Sequence, residues 1–215
     1  MTISVILAHP DKGSFNHAIA CAAAERLHDL GHRVLFHDLY GEGFDPLLPA
    51  GEIPDGALLP PGIRDQCEEI AEADGIVIVH PNWWGQPPAI LKGWVDRVIR
   101  PGVAYEFVEG DSGEGVPNGL LRAKSAVVLN TSNTEPEREE RIFGDPLQAI
   151  WQDCIFGLCG VRDFHRRTFG VVVTSADAQR RQWLDEVKIL IDSVFPCESG
   201  SDRSREASHR HRSDL

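Results

Sequence analysis

Three short segments of this chain combine residue types that can do chemistry. The first, His9-Pro10-Asp11-Lys12-Gly13-Ser14-Phe15-Asn16, leads from an apolar run into a helical one. Free backbone N–H groups at a helix start attract phosphate. The Ser14 hydroxyl and the Asn16 amide add donors there, and His9 and Lys12 add charge; a plain capped turn would use the same residues. The second, Pro81-Asn82-Trp83-Trp84-Gly85-Gln86, places two adjacent tryptophans directly after the most apolar run of the chain. Flat rings at such a position point to a flat ligand, although core packing or a dimer contact would also employ them. One of two neighbouring residues at a strand end turns inward, so Trp83 is expected to pack and Trp84 to face the cleft. The third, Asn130-Thr131-Ser132-Asn133-Thr134, offers many hydrogen bonds to the edge of a heterocycle, or a solvated cap for the next helix. Phosphate donors, aromatic walls and amide-type hydrogen bonds together suit a flavin better than a metal or a covalent nucleophile.

Other chemistries lack their signatures. There is no Gly-x-Ser-x-Gly elbow and no Gly-x-x-x-x-Gly-Lys-Ser/Thr loop, the marks of an α/β-hydrolase and of a P-loop nucleotide triphosphatase. The nine histidines are scattered, so no metal is expected. Cys21, Cys67, Cys154, Cys159 and Cys197 form no Cys-x-x-Cys pair and read as buried free thiols of a reducing cytoplasm. A formal net charge of -12 disfavours nucleic acid and anionic membrane surfaces as partners. The start shows no signal peptide, and no run reaches the roughly 18 apolar residues of a membrane span.

Positioning these segments requires a sheet. Strands are expected over Ile3–Ala8, Arg33–Leu39, Gly75–His80, Ser125–Leu129 and Phe169–Thr174. Helices are expected from Ser14 to Gly31, over Ile63–Ala73, from Pro87 or Pro88, over Pro146–Gly157 with Leu147, Ile150, Trp151 and Cys154 inward, and over Asp177–Phe195 with Ser175 or Asp177 as cap. The acidic run Glu135 to Glu140 reads as a solvated helix start. Alternation of strand and helix means a parallel sheet covered on both faces. Five strands fit a flavodoxin-like three-layer α/β/α sandwich of order 2-1-3-4-5. Its ligand crevice lies at the switch point between strands one and three. A six-stranded Rossmann sheet is disfavoured, because no Gly-x-Gly-x-x-Gly follows strand one. Residues 1–197 read as one flavin-binding domain. Residues 198–215 mix acids and bases without a large apolar residue before Leu215 and read as a disordered tail.

The same segments carry a family resemblance. Ala8-His9-Pro10 with Ser14-Phe15-Asn16, His80-Pro81-Asn82-Trp83-Trp84, and above all Pro88-Ala89-Ile90-Leu91-Lys92-Gly93-Trp94-Val95-Asp96-Arg97-Val98 followed by Ala104-Tyr105 resemble the flavodoxin-like NAD(P)H:quinone oxidoreductases. That group includes DT-diaphorase, the modulator of drug activity B and the ancillary oxidoreductases of potassium efflux systems. Phe156-Gly157-Leu158-Cys159-Gly160-Val161 is a weaker echo.

The resemblance implies a bound flavin that takes hydride from NADH or NADPH and passes two electrons to a quinone-like acceptor, in ping-pong order. By this likeness His9, Ser14, Phe15 and Asn16 hold the phosphates. Pro81, Asn82, Trp83, Trp84 and Gly85, with Thr131, Ser132, Asn133 and Thr134, hold the ring system. Trp84, Tyr105 and Phe107 form the acceptor pocket, with Trp84 and Tyr105 catalytic. A homodimer is implied, and Ser14-Phe15-Asn16 leans to FAD over FMN. The family's glycine pair in the third loop is replaced by Asn133-Thr134, which could offer donors near flavin N1 and O2. Its Tyr/His proton relay is absent between Thr134 and Gly144, where Phe143 stands near the histidine's place, so water or Tyr105 must carry the proton. Two other functions share these residues: a flavin-binding regulatory subunit of a potassium efflux channel, and a flavodoxin-type electron carrier.

Overall fold

The computed structural model describes residues 1–54, 56–107, 115 and 117–197; the expected tail lies outside them. Five parallel strands form the main sheet: β1 (Thr2–Leu7), β2 (Arg33–Asp38), β3 (Gly75–Pro81), β6 (Ser125–Thr131) and β7 (Asp163–Phe169), in the order β2-β1-β3-β6-β7. Counting only these strands, this is the expected order 2-1-3-4-5. A small antiparallel pair, β4 (Tyr105–Glu106) with β5 (Asn118–Gly119), was not foreseen. Each of its strands has only two residues, too few for an alternating pattern.

Alternation of side chains across the sheet feeds two cores. Ile3, Val5, Leu7, Val77, Val79, Val127 and Leu129 face α1 (Phe15–Asp29) and α4 (Asp177–Val194). Ile6, Ile76, Ile78, Ala126 and Val128 face α2 (Pro61–Glu72), α3 (Ala89–Val98) and the helix that begins at Pro146. Ser14 caps α1 by accepting the His17 N–H, and Gly31 leaves the helix at φ 81. The long β2–α2 loop is held by a buried ion pair. The Arg97 guanidinium grips the Glu52 carboxylate with two bonds, at 3.0 and 2.5 Å, and each side chain is 5% exposed.

Several expectations are corrected. The fifth strand is Asp163–Phe169, not Phe169–Thr174. It pairs with β6 from Ser125↔Asp163 to Thr131↔Phe169. As a sheet edge it needs little apolar surface and tolerates Arg166 and Arg167, whereas the valines after it turn back over the third loop. There Val172 donates its N–H to the Ser132 carbonyl at 3.1 Å, and Val173 is exposed. Ala176 is the N-cap of α4, without a side-chain bond; the Ser175 hydroxyl donates to the Val172 carbonyl instead.

The helix over Pro146–Gly157 widens into π-type turns from Ala149. In such turns hydrogen bonds span five residues, so Trp151 and Phe156 share the inner face and their rings stack at 5.7 Å. Leu147 and Trp151 are buried and Ile150 half-buried, but Cys154, inward by ordinary helical spacing, is exposed. Cys21 and Cys197 are exposed too, so only Cys67 and Cys159 are buried thiols, and burial pushes both up to about 11. Among the described residues no helix is long and apolar enough to cross a membrane, and no three His, Cys, Asp or Glu side chains gather as a metal site.

Candidate active site

The loops after β1, β3 and β6 meet in one cavity of about 950 Å³ at the switch point, the size of a small-molecule or cofactor site. Its wall holds every sequence-predicted cofactor residue: His9, Ser14, Phe15, Asn16, Pro81, Asn82, Trp83, Trp84, Gly85, Thr131, Ser132, Asn133 and Thr134. Gln86, Glu139, Phe143, Pro146, Val172 and Val173 complete it.

The first loop gives uncharged donors. The first amides of α1 have no carbonyl within the helix to accept them, and their residues, Phe15 and Asn16, line the cavity. His9 Nδ1 lies 3.1 Å from the Asp11 N–H. Nδ1 also lies 3.2 Å from the Asp11 carbonyl oxygen, so either tautomer finds a partner on the Asp11 backbone. Burial pushes the His9 pKa down, against the backbone hydrogen bond at Asp11. Lys12 is exposed and outside the wall. Asn16 turns its side chain to Thr131, donating Nδ2–H to Oγ1 at 2.9 Å. The Phe15 ring packs on Phe169 and Trp183, which leaves its backbone to face a ligand.

The second loop is a tight turn. Trp83 and Gln86 exchange N–H···O bonds at 3.1 and 3.0 Å around Trp84 and Gly85, with φ 59 and 70. Positive φ at both central residues makes this a type I′ turn, which favours Asn and Gly. Gly85 suits it twice, since a β-carbon there would meet the Pro146 ring at 2.7 Å. Trp84 does not suit it, and its ring is 100% exposed. Trp83 does not pack inward as expected. It is 41% exposed, 6.1 Å from the His9 ring, because the turn lifts both tryptophans off the sheet. Asn82 braces the turn, accepting the Gly85 N–H at 2.9 Å and donating to Glu139 at 3.0 Å.

In the third loop several donors are already engaged. The Thr134 N–H goes to Ser132 Oγ, and Asn133 Oδ1 accepts the Val173 N–H at 2.9 Å. The Asn133 amide nitrogen and the Thr134 hydroxyl are the side-chain donors left for a ligand.

Beneath the cavity floor lies a buried polar network. His80 Nδ1 donates to the Pro81 carbonyl at 2.8 Å, and Nε2 accepts from Trp151 at 2.9 Å and Asn130 at 2.8 Å. Burial pushes His80 down to about 4, so the ring is neutral. Arg166 bonds to Asn130, Gln148 and Asp145, pinning the residue before Pro146.

Two predicted residues stand elsewhere. Tyr105 and Phe107 line a second cavity with Val95, Arg100, Cys154 and Cys159, and not the one that holds Trp84. Sequence reasoning passed over Glu139, placed in a solvated acidic run, although it precedes Phe143 by four residues, the spacing of one helical face. Val172 and Val173 were hidden by the strand expected there.

A parallel sheet with its ligand crevice at the switch point, built from these three loops, defines a flavodoxin-like protein. The chain belongs to the family described as having a flavodoxin-like fold, whose model matches residues 1–189, and within it to the quinone oxidoreductase group. It is 31% identical over 185 residues to an uncharacterized NAD(P)H oxidoreductase of Haemophilus influenzae, covering 84% of this chain and 89% of that one. It is 32% identical over 216 residues to the NAD(P)H dehydrogenase (quinone) 1 of Rattus norvegicus, covering 89% and 76%. Among solved structures it resembles the NAD(P)H:quinone oxidoreductase from Methanothermobacter marburgensis, with TM-score 0.76 at 28% identity over 89% and 95% of the two chains.

Proposed function

We propose that the cavity binds a flavin, FAD by the likeness of Ser14-Phe15-Asn16, and that the protein transfers hydride from NAD(P)H through it to a quinone-like acceptor in ping-pong order. The carrying observation is Trp84: a large ring held in a left-handed turn conformation and wholly exposed at the cavity. That conformation costs about 1–2 kcal/mol for a residue with a β-carbon, and the ring's own packing returns none of it. Strain of this kind clusters at functional sites; here it holds a stacking face ready. The names of the relatives support the same reaction.

The residues fit the cofactor. Helix α1 offers amides to phosphate without a cation, and Trp83 and Trp84 wall a flat ring. Bound flavin supplies the two-electron chemistry. The protein's part is geometry: Trp84 holds donor or acceptor at contact distance, and the Asn133 amide donates at the ring edge. The aromatic acceptor residues Tyr105 and Phe107 face another cavity of their own subunit, which supports a homodimer in which the partner copy brings them to the Trp84 cavity. Burial keeps the Tyr105 phenol protonated beyond its ordinary range, as a donor to a reduced acceptor.

The test is purification, a visible spectrum, heat release and identification of the chromophore, then anaerobic addition of NADPH or NADH. A yellow protein bleached by the nucleotide and re-oxidised by a quinone is the expected result. Protein that takes up neither FAD nor FMN sinks the reading. A bound flavin that neither nucleotide bleaches makes the protein an electron carrier instead.

A further inference from the structure

The cavity wall has one formal charge. Of its side chains only His9 and Glu139 can carry a charge, and burial holds the His9 pKa below its ordinary value, which favours the uncharged ring. No lysine or arginine contributes. Glu139 is half-buried, and its Oε1 accepts from Asn82 Nδ2 at 3.0 Å. Asn82 in turn holds the Gly85 amide, so the carboxylate is tied to the turn that carries Trp84. Among the described residues no cation forms an ion pair with it. Glu135, Glu137 and Glu140 are acidic and exposed, and Arg138 and Arg141 are exposed outside the wall. Arg166 feels Glu139, but its nearest carboxylate is Asp145, to which it is bonded.

We infer that Glu139 sets the charge preference of the acceptor site: it admits uncharged and cationic aromatic acceptors and turns away those that bear a sulfonate or carboxylate. The inference rests on the reading of this cavity as the flavin and acceptor site. A half-buried unit charge several ångström from a ligand anion alters its binding by about tenfold or more. Salt screens that interaction. Selection by an unpaired like charge is a general device of specificity.

The experiment compares one ring system with and without charge. For turnover, the pair is menadione and a naphthoquinone sulfonate. For binding, it is 2-naphthol and naphthalene-2-sulfonate, read by tryptophan quenching on the protein as purified. Glu139→Gln keeps an oxygen to accept from Asn82 and removes the charge. It is expected to raise the sulfonate-to-neutral ratio of kcat/KM, and to tighten sulfonate binding relative to naphthol, by about tenfold at low ionic strength. Glu139→Asp and the off-wall Glu140→Gln should keep the wild-type ratios. In wild type, added salt should favour the sulfonate relative to naphthol, an arm that needs no variant. Equal effects on both ligands, no effect on either, or an equal shift from Glu140→Gln overturns the inference. If the protein holds no flavin and oxidises no NAD(P)H, the functional reading falls, while the binding arm still decides the charge preference of the cavity.

Discussion

Asn16 and Thr131, 115 positions apart, lock the first and third cavity loops together. The Asn16 amide donates to the Thr131 hydroxyl oxygen at 2.9 Å, and the hydroxyl donates back to the Asn16 carbonyl oxygen at 3.3 Å. Both residues are buried. Thr131→Val keeps the shape and leaves the Asn16 amide unpaired. The expected cost is about 1–3 kcal/mol in urea unfolding, together with weaker flavin retention. A variant as stable as wild type, with flavin equally tight, would show that the pair neither stabilises nor spaces the loops.

Trp84→Asn should separate stability from function. The ring is wholly exposed, so its removal forfeits no packing, and asparagine tolerates the left-handed region. Thermal unfolding is expected to rise by about 2–4 °C, the equivalent of about 1 kcal/mol for a chain of this size. Flavin reduction and quinone turnover should fall by about tenfold or more as the stacking wall is lost. A variant that is less stable would show that the Trp84 turn is unstrained, and one as fast as wild type would show that the ring takes no part in hydride transfer.

Gly85→Ala attacks the same turn from the other side. The new methyl would meet Pro146 Cγ at 2.7 Å at a φ of 70. Loss of about 1–3 kcal/mol in stability is expected. Because Pro146 is itself cavity wall, ligand affinity should fall as well, measured by flavin titration.

Legibility in the sequence followed burial. The three inner strands were readable because each is apolar across both faces, as a covered parallel sheet demands. The edge strand β7 was not, because Asp163-Phe164-His165-Arg166-Arg167 carries charge that a sheet edge can bear, while Val171-Val172-Val173 imitates a strand. The cavity loops were visible as polar runs at strand ends. The individual roles of their side chains were hidden, since they depend on partners distant in sequence. Asn16 goes to Thr131, Asn82 to Glu139 and Asn133 to Val173. The exposure of Cys154 was illegible for another reason: π-type turns shift the helical phase that spacing assumes.

His80 makes stability depend on pH. Its pKa falls from 6.5 to about 4 in the fold because burial penalises the charged ring. The unfolded chain therefore binds the proton more readily, and stability is lost as pH falls from 6.5 toward 4. Above 6.5 the contribution is constant. The full loss approaches roughly 3 kcal/mol. Urea unfolding across that range should show this slope, and His80→Gln should flatten it, though at reduced stability, since Trp151 and Asn130 both donate to the ring. An unchanged slope in the variant would assign the pH dependence to other groups.

The placement of Tyr105 and Trp84 in different cavities of one subunit leads to a complementation test. If a partner copy supplies Tyr105, a dimer of one Trp84→Ala chain and one Tyr105→Ala chain contains one doubly altered site and one fully wild-type site. Each variant alone has only altered sites. When equal amounts are unfolded together and refolded, random pairing of a two-fold dimer makes half of the dimers mixed. About a quarter of all sites should then be wild type. Quinone turnover should rise to about that share of the native rate, well above the mean of the two variants. Were Tyr105 to act within its own chain, every site would keep one alteration in any mixture, and no rise would occur. A monomer would likewise stay at the mean whatever the refolding history, so only a dimer that shares Tyr105 between its copies gives the rise.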